Sequence, residues 1–229
     1  MKRPGGEMSS RPLHFIWITD CSGSMSGEKI QSLNYAIRNA IPSMRDVASE
    51  NPNAKVLVRA IKFSSGAQWH IDDATAVDKF EWKDLQAGGL TDLGVALSMV
   101  ADQLKIPPMS ERALPPVLVL LSDGQPTDDY KVGLSKLLSL PWGKKAVKIA
   151  IAIGEDADID VLQNFIDDTE RAPLQANNSD SLVHFIKWAS TAVVKAASAP
   201  PSQLKGESVK SNVAIPTPPP TDISNDDVW

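Results

Sequence analysis

Four nearly continuous apolar runs, residues 13–19, 56–63, 117–121 and 147–153, constrain this chain more than any other feature. A strand that alternates apolar and polar residues keeps one face in water. A run that does not alternate must be covered on both faces, which is the condition of a parallel sheet with helices on either side. Between the runs the apolar spacing lengthens to the helical period. Within 28–47, Ile30, Leu33, Ile37, Ile41 and Met44 form one stripe, and within 91–104, Leu93, Ala96, Leu97, Val100 and Leu104 form another. Pro107 and Pro108 stop the second. Shorter helices are expected at 128–140 and 159–169, with an amphipathic one at 181–197. Alternation at 77–82 predicts a further strand that pairs with 56–63, or with a strand at 67–71, as an antiparallel edge, and 171–176 supplies a last short strand. This order implies an α/β fold: an open, doubly wound, mostly parallel sheet with one antiparallel edge strand and helices on both faces. Ligands of such sheets bind beyond the carboxyl ends of the strands.

The 229 residues suit one domain with some extra chain. An N-terminal extension is expected at 1–10, a domain at 11–198 and a Pro/Ser/Thr-rich tail at 199–229. By composition the tail is extended. Val213, Ile215, Ile223, Val228 and Trp229 are nonetheless apolar for a linker, which leaves docking onto this domain or onto a partner open. The formal charge of -5, with no basic cluster longer than Lys144-Lys145, gives no nucleic-acid footprint. No apolar stretch approaches the roughly 18 residues that cross a bilayer, so no membrane role is expected. The start does not read as a signal peptide, and the single Cys21 fits a reducing, cytoplasmic setting.

Chemistry concentrates where the first apolar run ends, in Asp20-Cys21-Ser22-Gly23-Ser24. One carboxylate and two hydroxyls from a single tight loop form an all-oxygen set suited to a hard divalent cation, Mg2+ or Mn2+. Gly23 is expected to turn the backbone back sharply, and a helix is expected to begin near Ser26, where its N-terminus favours an anion above the ion. The plain alternative is a helix N-cap, which explains one of these side chains but does not call for the other two. Two further loops add oxygens. Gly88-Gly89-Leu90-Thr91 delivers Thr91 to a helix start, and Asp123 follows the most apolar run. Singly, Thr91 reads as a cap and Asp123-Gly124 as an ordinary turn. Together they bring a third hydroxyl and a second carboxylate to loops that the fold would set beside the first.

In this order and context Asp20, Ser22, Ser24, Thr91 and Asp123 resemble the five-residue metal-ion-dependent adhesion site of von Willebrand factor A-type domains, over about residues 11–197. The wording DCSGSMSG, GGLTDLGVAL and LLSDGQPTDD is most similar to the intracellular bacterial branch that includes the TerY-like proteins of tellurite-resistance operons. The resemblance implies that Ser22, Ser24 and Thr91 contact the ion directly, while Asp20 and Asp123 act directly or through water. It implies that a partner's acidic side chain completes the shell. It also implies a binding module, not an enzyme, set beside a Ser/Thr protein kinase and a PP2C-type phosphatase in stress or tellurite-resistance signalling. An alternative is a partner subunit of an AAA+ ATPase assembly of the MoxR or chelatase type; a third is a metal-dependent phosphohydrolase.

Other chemistries find less support in the residues. A dehalogenase-type phosphatase needs a second carboxylate at the position of Ser22, and the P-loop and dinucleotide fingerprints are absent. His14, His70 and His184 have no zinc spacing. Cys21 has no basic neighbour in sequence to lower its pKa and reads as a small buried side chain. Trp17 belongs to the core, Trp69, Trp82, Trp142 and Trp188 to packing at element ends, and Trp229 to docking.

Overall fold

The computed structural model describes residues 10–199, 213–220 and 229. Nearly all of the expected N-terminal extension, and 200–212 and 221–228 of the tail, lie outside the described residues. Six strands form one sheet in the order β3-β2-β1-β4-β5-β6: β1 (Arg11–Asp20), β2 (Ala54–Ser64), β3 (Gly66–Ala76), β4 (Val117–Ser122), β5 (Val147–Ile153) and β6 (Leu174–Ala176). Every neighbouring pair is parallel except β2 and β3. The expected α/β class is the observed one.

The nearly continuous apolar runs of β1, β4 and β5 do what two-sided burial requires, while β2 largely alternates between buried and half-buried positions. Successive side chains of a strand point to opposite faces, so Phe15, Trp17, Val117, Val119 and Leu121 enter the core on one side of the sheet. Ile16, Ile18, Leu118 and Leu120 enter the core on the other. The first core is closed by α1 (Glu28–Ser49), α6 (Ser179–Trp188) and α7 (Val194–Ser198), with a π-helical turn, Ala189–Val193, joining the last two. The second is closed by α2 (Leu93–Gln103), α3 (Tyr130–Ser139) and α5 (Ile159–Ile166), with the short α4 (Pro141–Lys145) beside them.

One expected strand is absent. Residues 77–82 make no ladder: Val77–Lys79 is a 3-10 turn, and the antiparallel edge is β3. Val77 and Phe80 are both buried, a spacing of three that suits a turn and not a strand. The Arg45 side chain donates to the carbonyls of Val77 and Phe80, at 3.1 and 2.8 Å. Asn34 likewise holds the continuation of this segment, since its Oδ1 accepts from Trp82 Nε1 and the Leu85 amide. Side chains of α1 have thus taken the backbone partners that a strand would need.

Two short pieces of the tail pack on the domain. Val213 is buried in the first core, and Ile215 and Trp229 pack against it. The Trp229 amide donates to the Asn177 carbonyl at 3.1 Å, and His184 Nε2 lies 3.1 Å from the Pro219 carbonyl.

Candidate metal centre

All three oxygen-bearing loops meet at the C-terminal edge of the sheet: two follow β1 and β4, and the segment after β3 returns there, where the Asp92 amide donates to the Ser64 carbonyl at the end of β2 at 2.9 Å. The first follows β1, whose last residue, Asp20, is wholly buried. Its Oδ1 accepts from the Ser22 amide at 2.8 Å, and its Oδ2 accepts from Ser122 Oγ at 2.5 Å. Beyond it the chain makes a 3-10 turn, Gly23–Met25, which brings Ser22 Oγ and Ser24 Oγ to 3.0 Å from each other. Ser22 is buried and Ser24 is exposed. The turn does not rely on a left-handed Gly23, as its sequence suggested. The positive φ falls at Gly27, +81°, just before α1 begins at Glu28.

The second loop is tied to the first by two backbone bonds, Gly23 N to Gly89 O at 3.0 Å and Gly88 N to Cys21 O at 2.8 Å. Gly89 is needed for this approach: its φ is +87°, and a β-carbon there would sit 2.7 Å from Ser65 Oγ. Thr91 follows, buried, and is joined to the third loop. Its amide donates to Thr127 Oγ1 at 3.0 Å, and its carbonyl accepts from the Thr127 amide at 2.9 Å. Thr91 is not the N-cap of α2; Asp92 holds that position, and the first amides of the helix, Gly94 and Val95, donate to the two carboxylate oxygens of Asp128, each at 3.0 Å.

Asp123 begins the third loop, immediately after β4, and is wholly buried. Its Oδ1 accepts weakly from the Gln125 amide at 3.4 Å, and its Oδ2 is buried without any hydrogen-bond partner. Burying a carboxylate oxygen with nothing to satisfy it is costly. A second buried acid stands close by. Burial, together with the charge of Asp123, raises the Asp20 carboxyl to about 6, and the hydrogen bonds from Ser122 and Ser22 only partly offset this. Two desolvated carboxylates and an orphaned oxygen fit a cation, and the donors around them are oxygens throughout.

The structure therefore brings together the loops of all five expected residues. Among the described residues no three His, Cys, Asp or Glu side chains gather as a metal-binding group. Asp20 and Asp123 are the only carboxylates of the five, and Ser22, Ser24 and Thr91 add hydroxyls. Sequence reading missed Ser122 and Asp128. Ser122 donates to Asp20 and accepts from the Gly124 amide at 2.8 Å, so it fixes the carboxylate and the turn after it. A hydroxyl closing an otherwise apolar run was the available signal. Cys21 is buried as expected; burial, with Asp20 beside it, pushes its thiol up to about 12, which disfavours the thiolate.

An open, mostly parallel sheet with helices on both faces and one antiparallel edge strand defines a Rossmann-like α/β domain, and the three polar loops converge at its carboxyl edge. The chain belongs to the von Willebrand factor type A domain family, which matches residues 16–187. Members of this family are protein-interaction modules, often metal-dependent. Among curated proteins none matches significantly. Solved structures share the fold. The ArnB paralog VWA2 from Sulfolobus acidocaldarius is 23% identical with a TM-score of 0.58, over 77% of this chain and 44% of that one. A von Willebrand factor type A structure from Catenulispora acidiphila is 16% identical, TM-score 0.57, over 80% and 42%. Proximal thread matrix protein 1 from the mussel byssus, in a structure with a zinc-occupied MIDAS motif, is 17% identical, TM-score 0.56, over 80% and 46%. This chain thus spans less than half the length of each. No helix among the described residues is long and apolar enough to cross a membrane.

Proposed function

We propose that Asp20, Ser22, Ser24, Thr91 and Asp123 form a metal-ion-dependent adhesion site for Mg2+ or Mn2+, and that the domain binds a partner protein through an acidic side chain at that ion. The observation that carries this reading is the buried Asp123 Oδ2 without a partner, next to a second desolvated acid. Ser122 and the Ser22 amide hold Asp20, Gly23 and Gly89 hold the first two loops together, and Thr127 holds Thr91, so the donors stand preorganised. A divalent cation bound there supplies a Lewis-acidic position for an incoming carboxylate. The exposure of Ser24 leaves the site open to one. The relative with a zinc-occupied MIDAS motif lends support from the family side.

Calorimetry with Mg2+, Mn2+ and Zn2+ on the isolated protein tests the ion directly. An ion supplied at about 100 times its Kd is expected to stabilise the fold by about 2.7 kcal/mol. Absence of any heat or thermal shift with all three would refute the metal site.

The setting we propose is the one the sequence resemblance implies: a cytoplasmic, non-enzymatic TerY-like module acting with a Ser/Thr protein kinase and a PP2C-type phosphatase in stress or tellurite-resistance signalling. The domain occupies residues 11–198, with an extension before it and a tail after it. Co-purification from the native host, with and without chelator, is expected to recover the kinase and phosphatase only when metal is present. Recovery of an AAA+ ATPase in their place would favour the MoxR or chelatase alternative.

A further inference from the structure

Six large apolar side chains stand exposed among the described residues, and four of them, Leu90, Val95, Val132 and Ile159, lie on the face that carries the candidate metal loops. They are 40 to 65% exposed. Leu90 precedes Thr91, Val95 lies in the first turn of α2, Val132 in the first turn of α3, and Ile159 opens α5. These helices start at the same sheet edge and are locked to each other. A β-carbon on Gly133 would run into the Gly94 carbonyl, so α2 and α3 touch backbone to backbone beside Val95 and Val132. Asn164 Nδ2 donates to the Tyr130 hydroxyl at 3.1 Å and ties α5 to α3. Four apolar groups on a rigid rim are more than scattered exposure, which is ordinary when single.

The charge on this face is predominantly negative. Segments 88–95, 123–132 and 154–161 carry seven carboxylates besides Asp123, and Lys131 is their single cation. Several of these acids serve the fold: Asp128 anchors the start of α2, Asp158 caps α5, and Asp156 pairs with Lys29 at 3.2 Å. Asp129 and Asp160 are exposed and join no ion pair among the described residues. An incoming surface that was acidic throughout would meet like charge around the very position that takes an acid.

We infer that the partner docks on this rim with a single acidic side chain set in a basic and apolar surround: aliphatic or aromatic groups against Leu90, Val95, Val132 and Ile159, and Lys or Arg opposite Asp129 and Asp160. The inference rests on the metal reading above and adds to it the chemistry of the partner surface. The ion accepts the one acid, and the rim selects what stands around it.

The test uses two synthetic peptides and the full chain with saturating Mg2+. One peptide carries a central Glu flanked by Leu and Lys; the other carries the same Glu flanked by Gly and Asp. The first is expected to bind at least tenfold more tightly, and to weaken as salt rises. Val132→Asp and Ile159→Asp, both on exposed positions, should lower its affinity at least fivefold while leaving the Mg2+ affinity of the protein unchanged. The double reversal Asp129→Lys, Asp160→Lys should turn the preference toward the acidic peptide. Equal binding of the two peptides with ion bound, or indifference to Val132→Asp and to the reversal, overturns this inference and leaves the metal site standing. Preference for the basic peptide that survives chelation supports the rim and refutes the role of the ion.

Discussion

Asp20 and Asp123 are both buried acids at strand ends, yet they do different work, and substitution separates them. Asp20 accepts from the Ser22 amide and the Ser122 hydroxyl, so Asp20→Ala strands two donors and should cost the metal-free domain about 1–3 kcal/mol. Asp123 gives only the long contact to Gln125 and leaves Oδ2 unsatisfied. Asp123→Ala should therefore hold or raise the melting temperature without metal and abolish the Mg2+-induced rise. Thermal melts of both variants with Mg2+ and with EDTA check this pair. His14 gives the clearest pH dependence. Burial, aided by the Arg59 charge, depresses its pKa from 6.5 to about 4. Between those values the unfolded chain binds a proton that the folded chain refuses, so the stability of the fold is unaffected by His14 above about 6.5 and falls as pH drops toward 4, by about 3 kcal/mol in all. Asp20, raised to about 6, acts with the opposite sign over much of this window. The quantity to read is thus the difference between wild type and His14→Gln in denaturant melts from about pH 7 to about pH 4, in which Asp20 cancels; the variant should show the flatter loss. At this scale four of the five oxygen-bearing residues were legible because they follow a strand run, and Thr91 because it closes a glycine-rich turn just before α2. Asp128 was not, since a bond to the amides of a helix 34 residues away depends on where the chain folds, and Ser122 showed only as a hydroxyl closing an apolar run, its bond to Asp20 being set by the pairing of β1 with β4.

Elements show the same division. The central strands β1, β4 and β5 are visible in sequence because burial on both faces makes them nearly continuous apolar runs, β2 shows through despite its half-buried Arg59 and Lys62, and the observed bounds of β5 are the expected 147–153. At 77–82 the alternation was real but its backbone partners were taken by Arg45 and Asn34 of α1, a long-range contact with no local trace. Helix starts moved for a related reason. The start of α2 is set at Leu93 by a carboxylate supplied from the third loop, not by Thr91. The crossing of α2 and α3 makes this coupling measurable. Gly133 lies against the Gly94 carbonyl, and a β-carbon on Gly94 would lie 2.9 Å from the Asp128 carboxylate that anchors α2. Gly133→Ala must push the helices apart, at a cost of about 1–3 kcal/mol. Because only Asp92 separates Thr91 from the start of α2, the same substitution should weaken Mg2+ binding several-fold. Unfolding free energy and ion affinity measured on one sample would show both effects, and an unchanged affinity would disconnect the helix crossing from the site.

For the whole molecule the open question in sequence was the tail, whose composition reads as a linker while its apolar residues do not. Composition carries no address: nothing in Val213 or Ile215 says which surface would cover them. The structure gives that address for a few residues, with Val213 buried and Ile215 and Trp229 against the core closed by α1, α6 and α7. Covering a valine fully is worth about 1.5–3 kcal/mol before the entropy of ordering the chain is counted. Removing residues 200–229 should then lower stability by about 2 kcal/mol, a shift of several degrees in melting temperature for a domain of this size. A free linker would leave it unchanged. Deletion alone also removes charge and length, so Val213→Asp in the full chain supplies the decisive comparison. It should reproduce most of the loss, because an acid cannot occupy that apolar position without desolvation. If the deletion and Val213→Asp both melt with wild type, the tail does not pack on the domain in solution, and its apolar residues are left for a partner.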